Sequence, residues 1–244
     1  MTKEYPYLCL HQQSINSDII LLHFIPDTDI KMAYRAGQYV EAIFADNLVL
    51  PLSIANAPSI DGSLEFHLRH NAQHPMANAF LSALLNNKKV MLRGPFGEAI
   101  LARQDEAKEI VMLAGGTGFT PFKALLEEAL LQQKCKKQIT LFWGVRHPDD
   151  AYKLKLLNAW QQRYSQFDFH IVLSEPHRFP AWQGPRGLVH EYLAKNWTNF
   201  EETIVFASGP FAMVKAAFSL FTKHGLKPRQ FISDMLMPST ISCA

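Results

Sequence analysis

The residues Gly115, Gly116, Thr117, Gly118, Phe119, Thr120, Pro121 and Phe122 close an apolar run, EIVMLAGG, and open a helical pattern, TPFKALLEEALLQQ. A phosphate settles at such a turn: glycines let backbone N–H groups approach an anion, and the helix N-terminus adds a favourable dipole. Gly116 and Gly118 fill the first two places of a G-x-G-x-x-G pattern, with Pro121 in the third. Proline is accepted early in a helix, and Thr117 or Thr120 offers a hydroxyl for capping or for a phosphate. Glycines in a close turn also serve purely steric needs, so context must choose between the two. Other apolar runs end in WGVR, LSEP and SGPF, which are polar or glycine-bearing, and ligands of open α/β sheets bind at such strand ends. A second stretch, LPLSIANAP, holds Ser53 inside an apolar run. That hydroxyl either bonds to nearby backbone or reaches a ligand.

Two kinds of element must position these residues. Residues 1–102 read as short strands: in SLEFHLRH, Leu64, Phe66 and Leu68 alternate with Glu65, His67 and Arg69, a period of two that separates an apolar from a polar face. YLCLHQQSI, DIILLHFIPD, QYVEAIFA and KKVMLRG continue the theme, with turns such as IDGS and RAGQ, at the spacing of an antiparallel β-barrel. HPMANAFLSALLNN carries Met76, Phe80 and Leu84 at helical spacing and predicts a helix over one barrel end. Residues 107–244 alternate near-continuous apolar strands with amphipathic helices, the pattern of a doubly wound parallel sheet covered on both faces. The boundary is expected between Ala102 and Ala107.

Composition narrows the function. Hydrophobic content of 48% and charged content of 19% describe a chain able to build a core. A net charge of +2 without a long basic cluster argues against a nucleic-acid partner. No apolar run nears the ~20 residues that cross a bilayer, and the N-terminus has no secretory pattern. Cys9, Cys135 and Cys243 are far apart and odd in number, which argues against a disulfide framework or a cysteine-held metal. His67, His70 and His74 suit no single helix face and lack grouped carboxylates, so no metal is expected and they read as surface or substrate-edge histidines. Phe218 and Phe221, with Ala217 and Leu220, read as helix core. A cytoplasmic protein is expected.

RAGQY (Arg35–Tyr39), PLSIAN (Pro51–Asn56), GPFGEA (Gly94–Ala99), GGTGFTPF, WGVR, LSEP, GPRGLV and ASGPFAMV stand in one order along nearly the whole chain. In that order they resemble the stand-alone NAD(P)H:flavin oxidoreductases of the ferredoxin–NADP reductase superfamily. The resemblance implies a flavin-binding barrel, with FMN or FAD as cofactor or substrate, followed by a domain that binds NADH or NADPH. Hydride would pass from nicotinamide C4 to flavin N5, chemistry that needs two rings held face to face and dry. It makes Ser53 the hydroxyl facing N5, with Pro51, Leu52, His67, Leu68 and Arg69 around the flavin. It places Gly115, Gly116, Thr117, Gly118, Thr120, Pro121, Arg146, Glu175, Gly209 and Pro210 on the nucleotide, Ser208 beside the nicotinamide, and Asp234 beside the flavin.

Departures from the family sharpen this. Tight FAD-binding members carry an arginine three residues before the serine, where this chain has Leu50, and a small Gly/Ser motif where it has HPMANAF. A lost clamp on phosphate removes roughly 1.5–3 kcal/mol, ten- to a hundredfold in affinity, so weak flavin retention is expected. Arg69 is either a partial replacement or a solvated strand residue. Larger members have a cysteine where Ser208 stands. Glu175 would accept the adenine-ribose hydroxyls and favour NADH, whereas Ser174, Arg178 and Arg146 would tolerate a 2′-phosphate. Three function classes follow: a flavin reductase, a reductase component passing electrons to an oxygenase or a separate ferredoxin, and a nucleotide-sensing regulator.

Overall fold

The computed structural model describes residues 3–45, 47–101, 107–133 and 135–236. Cys243 and most of the expected boundary segment lie outside the described residues. The chain divides into two compact units, Met1–Leu101 with Thr120–Gln133, and Ala102–Phe119 with Lys134–Ala244.

The first unit holds β1 (Glu4–Ser14), β2 (Ile19–Pro26), β3 (Tyr39–Phe44), β4 (Leu48–Ser53), β5 (Leu64–Arg69) and β6 (Lys89–Phe96) in one rolled antiparallel sheet, ordered β4-β3-β6-β1-β2-β5. The Ala55 N–H, just past β4, donates to Glu65 O on β5 at 2.7 Å and links the two edge strands. The period of two works as expected: Val40, Ala42, Leu52, Leu64, Phe66 and Leu68 all point into one core. Helix α1 (Pro75–Asn86) lays Ala77, Phe80 and Leu84 on that core, each spaced three or four residues from the next. Met76 is exposed, so Ala77 takes the place in the stripe that the spacing gave to Met76. Phe80 meets Phe44 edge to face at 5.1 Å, and its complete burial contributes about 1.5–3 kcal/mol.

The second unit is a parallel sheet of β7 (Glu109–Gly115), β8 (Gln138–Val145), β9 (Phe167–Leu173), β10 (Thr203–Ser208) and β11 (Phe231–Ile232), ordered β11-β10-β7-β8-β9. Its strands are apolar on both faces because helices cover them: Val111, Phe142, Val172 and Val205 share one core with α4 (Val189–Asn196) and α5 (Phe211–Lys223). Ala217 and Phe221 are buried there and Phe218 and Leu220 lean against it, the core role the sequence suggested. Helix α3 (Leu154–Arg163) buries Leu157 and Trp160. The strand order runs outward from β7 to β8 and β9, then returns to the other side of β7 for β10. That reversal opens a crevice at the carboxyl ends of β7 and β10. The helix α2 (Phe119–Leu126), followed by a wider π-helical stretch Glu127–Gln132, leaves the β7 turn. Among the described residues no helix is long and apolar enough to cross a membrane, and no group of His, Cys, Asp and Glu could hold a metal ion.

Candidate active site

In the second unit the β7 turn and the β10 turn cross backbone against backbone. A Cβ on Gly118 would lie 2.1 Å from Ser208 O, and one on Gly209 (φ +144°) would lie 2.9 Å from Gly115 Cα. These glycines therefore have a steric task whatever they bind, and it brings Gly115, Gly116, Gly118, Ser208, Gly209 and Pro210 together at the crevice. Gly116 takes φ +55° to start the turn. Trp143 Nε1–H donates to Gly116 O at 2.8 Å, and Phe119 stacks on the indole at 4.2 Å. Tyr152 closes edge-on against the indole at 5.3 Å. This aromatic footing was not read from the sequence, although WG at a strand end was its signal. Thr117 stays half exposed on the turn, whereas Thr120 and Pro121 are buried.

Ser208 ends β10 half exposed, and among the described residues none hydrogen-bonds to its hydroxyl. Asp234 lies in the turn two residues past Ile232, the last residue of β11, which pairs with Phe206 of β10. At the neighbouring strand ends Arg146 is exposed, and Arg178 Nη1–H donates to Glu175 Oε2 at 2.7 Å. The Arg178 bond, helped by Arg146 and His177, holds the Glu175 carboxyl below its ordinary range. Ser174 spends its hydroxyl on Val145 O at 3.1 Å. Glu175 is thus a carboxylate already in contact with a cation.

In the first unit Ser53 pairs with Tyr39, and Tyr39 pairs with Phe96. Each strand alternates, with Leu52 and Val40 in the core, so Ser53 and Tyr39 look outward. The Tyr39 and Phe96 rings are 5.5 Å apart at an angle of 31°. Among the described residues none hydrogen-bonds to the Ser53 hydroxyl. A strand serine bonded to its own backbone is therefore not what the structure contains. Pro51 is exposed, while Leu50 packs half-buried against the barrel core. A flat ring with polar edge atoms fits this face, where an unclaimed hydroxyl lies beside two aromatic side chains.

Two sequence expectations change here. His67 is not a surface histidine: its side chain is fully buried, with Nε2–H donating to Glu65 Oε1 at 2.6 Å. The outer face of β5 is covered by Lys123 and Glu127 of the helix that follows the glycine turn, and Leu68 is buried on the core side. Arg69 is neither solvated nor uncommitted: its side chain is 10% exposed and meets Asp18 Oδ2 at 3.3 Å. Sequence reasoning passed over Lys123 altogether. Its signal was a lysine four residues before Glu127 in an otherwise apolar helical stretch, FKALLE.

One unit with a parallel sheet and a glycine turn at its switch point, and another with a rolled antiparallel barrel and an outward serine, are the parts of a dinucleotide-dependent oxidoreductase. The family description "Oxidoreductase NAD-binding domain" matches residues 112–218. An NAD(P)H-flavin reductase of Aliivibrio fischeri is 30% identical over 225 residues, covering 90% of this chain and 92% of its own length. The CDP-6-deoxy-L-threo-D-glycero-4-hexulose-3-dehydrase reductase of Yersinia pestis is 31% identical over 237 residues, 97% of this chain and 70% of its own length. The crystal structure of an Amycolatopsis cytochrome P450 reductase superposes with a TM-score of 0.82 at 26% identity, over 95% of this chain and 69% of that one. The chain belongs to the family of the NAD(P)H-flavin reductases.

Proposed function

We propose that this protein oxidises NADH or NADPH and reduces a loosely held flavin, whether FMN, FAD or riboflavin. The observation that carries the reading is the outward Ser53 hydroxyl, without a hydrogen-bond partner among the described residues and flanked by Tyr39. A flavin bound there supplies N5, the acceptor for hydride from nicotinamide C4. Ser53 would offer its O–H to a flavin held there and orient the ring, and Tyr39 and Phe96 would form a wall that keeps water away. The Gly115–Gly118 turn offers backbone N–H groups and the N-terminus of α2 to the nucleotide phosphates. Ser208, at the end of β10 beside the glycine turn, would meet the reacting end of the nucleotide. Arg146 and Glu175 meet its adenosine end, joined by Thr117 at the turn.

Loose retention follows from Leu50, a half-buried apolar side chain at the position where a phosphate clamp would need a cation. Arg69 does not replace it, because Asp18 already holds it. Leu50→Arg is expected to tighten flavin binding ten- to a hundredfold, roughly 1.5–3 kcal/mol for a charged hydrogen bond, read by quenching of flavin fluorescence. NADH is the favoured coenzyme with NADPH tolerated, since Arg178 and Arg146 temper the Glu175 charge; kcat/KM for both coenzymes decides, and a clear NADPH preference overturns this. The central assay follows nicotinamide absorbance with NADH or NADPH and each flavin in turn. Stoichiometric flavin surviving extensive dialysis would sink the loose-retention reading.

One observation favours a second reading. The Yersinia pestis relative is named as a reductase serving a dehydrase, so electrons here would pass to a partner protein such as an oxygenase or a separate ferredoxin. Turnover that requires such a protein and ignores free flavin would select it. The free thiols of Cys9 and Cys135 suit a reducing compartment, and we place the protein in the cytoplasm, which cell fractionation checks.

A further inference from the structure

The segment after Ser53 is held by buried charge. The Lys123 ammonium, its side chain 6% exposed, has three acceptors: Glu127 Oε1 at 2.7 Å, Glu65 Oε2 at 3.2 Å and Ala55 O at 3.2 Å. Its three N–H donors are therefore all used. Glu127 turns its second oxygen to the Ala57 N–H at 2.9 Å. Glu65 turns its own second oxygen to His67 at 2.6 Å, and its backbone N–H donates to Asn56 Oδ1 at 2.8 Å. Ala55, Asn56 and Ala57 are thereby tied, one after another, to a single cluster of Lys123, Glu127 and Glu65. Ile54, between them and Ser53, donates to Gln38 O at 3.1 Å. A lysine buried among apolar neighbours carries a desolvation cost that only complete pairing offsets. A leucine would fill such a helix position at less risk, so stability alone does not account for it.

We infer that Lys123 is a positioning residue for hydride transfer: by clamping Ala55 directly and Ala57 through Glu127, it fixes where β4 ends and hence where the Ser53 hydroxyl points. The inference rests on the flavin-facing reading of Ser53 above. Lys123 itself touches neither the flavin nor the nicotinamide in this scheme, and acts through the chain. A shift of about 1 Å in a positioned group costs on the order of a hundredfold in rate, so a clamp on Ala55 and Ala57, two and four residues past Ser53, has catalytic consequences.

The test is a double-mutant cycle on NAD(P)H oxidation with saturating flavin, using the full chain. Lys123→Met and Ser53→Ala are each expected to lower kcat by roughly tenfold or more, with KM for the nicotinamide nucleotide unchanged. The double variant is expected to fall no further than about twofold below Ser53→Ala, because residues that act through one another are not additive. Losses that multiply in the double variant mean Lys123 serves general stability, and overturn the inference alone. A Ser53→Ala protein as active as the parent overturns the Ser53 reading and the inference with it. Unchanged kcat in Lys123→Met overturns the inference and leaves Ser53 standing. Should Lys123→Met fail to fold, Glu127→Gln takes its place in the same cycle, since glutamine still accepts from Ala57 while the charge that holds Lys123 is gone.

Discussion

The two units each end a strand in a serine with an unclaimed hydroxyl, Ser53 on β4 and Ser208 on β10, yet they fix those strand ends by opposite means. In the barrel the loop beyond Ser53 is tied by side chains, a lysine and two glutamates at 2.7–3.2 Å. In the parallel sheet the turn at Ser208 is fixed by the absence of side chains, with Gly118 and Gly209 letting two backbones touch. A charge clamp can be weakened one bond at a time. A backbone crossing has no intermediate setting, because the first added carbon already overlaps an oxygen. The units should therefore fail differently when challenged.

The largest effect is expected for Gly118→Ala. Its Cβ would sit 2.1 Å from Ser208 O, backbone that cannot rotate away, so a loss of about 3 kcal/mol or more is expected, at the top of the range for overpacking. Thermal unfolding reads it, and a protein that melts like the parent would show that the crossing is slack. Next come the serines themselves. Ser53→Ala is expected to cost roughly tenfold in kcat, the worth of one hydrogen bond of about 1–1.5 kcal/mol, whereas Ser208→Ala should act mainly through the nicotinamide KM. Equal kcat losses with unaltered KM in both would erase the distinction between the two half-sites. A smaller effect, about 1 kcal/mol, is expected for Trp143→Phe, which keeps the stack on Phe119 and deletes the donor to Gly116 O. It should raise the nucleotide KM and leave flavin affinity alone.

The smallest effect is a pH dependence. His190 is buried on α4 with Nδ1 lacking a partner among the described residues, and burial lowers its pKa from 6.5. Below that value the unfolded chain binds a proton that the folded chain resists, so stability falls as pH drops through and below 6.5. His190→Phe should flatten the fall in melting temperature between neutral and mildly acidic buffer. An unchanged pH profile would assign that fall to other groups.

Much of this was legible in the chain. The period-two strands put Leu64, Phe66 and Leu68 in a barrel core, and the near-continuous apolar runs built the parallel sheet, because those patterns encode which faces can be dry. The glycine turn was legible too, but its reason was only half read. From sequence, Gly118 served an anion or a tight bend; the structure shows it yielding to Ser208 O, ninety residues away. His67 was misjudged as a surface residue for a related reason. Strand alternation shows that it leaves the barrel core, and says nothing about a helix from residues 120–133 covering the other face.

The sequence by itself determined the two kinds of sheet, the strand that carries Ser53, the turn that carries Gly116 and Gly118, and Leu50 in place of a cation. Each of these is a local pattern, set by periodicity, by backbone freedom or by side-chain type. Only the tertiary structure decided that Leu50 packs half-buried against the core, that Arg69 is held by Asp18, and that Lys123 clamps the loop beyond Ser53. Those depend on pairs 51 and 68 residues apart for Arg69–Asp18 and Lys123–Ala55. Distant charges reveal their partners only after folding has removed the water between them.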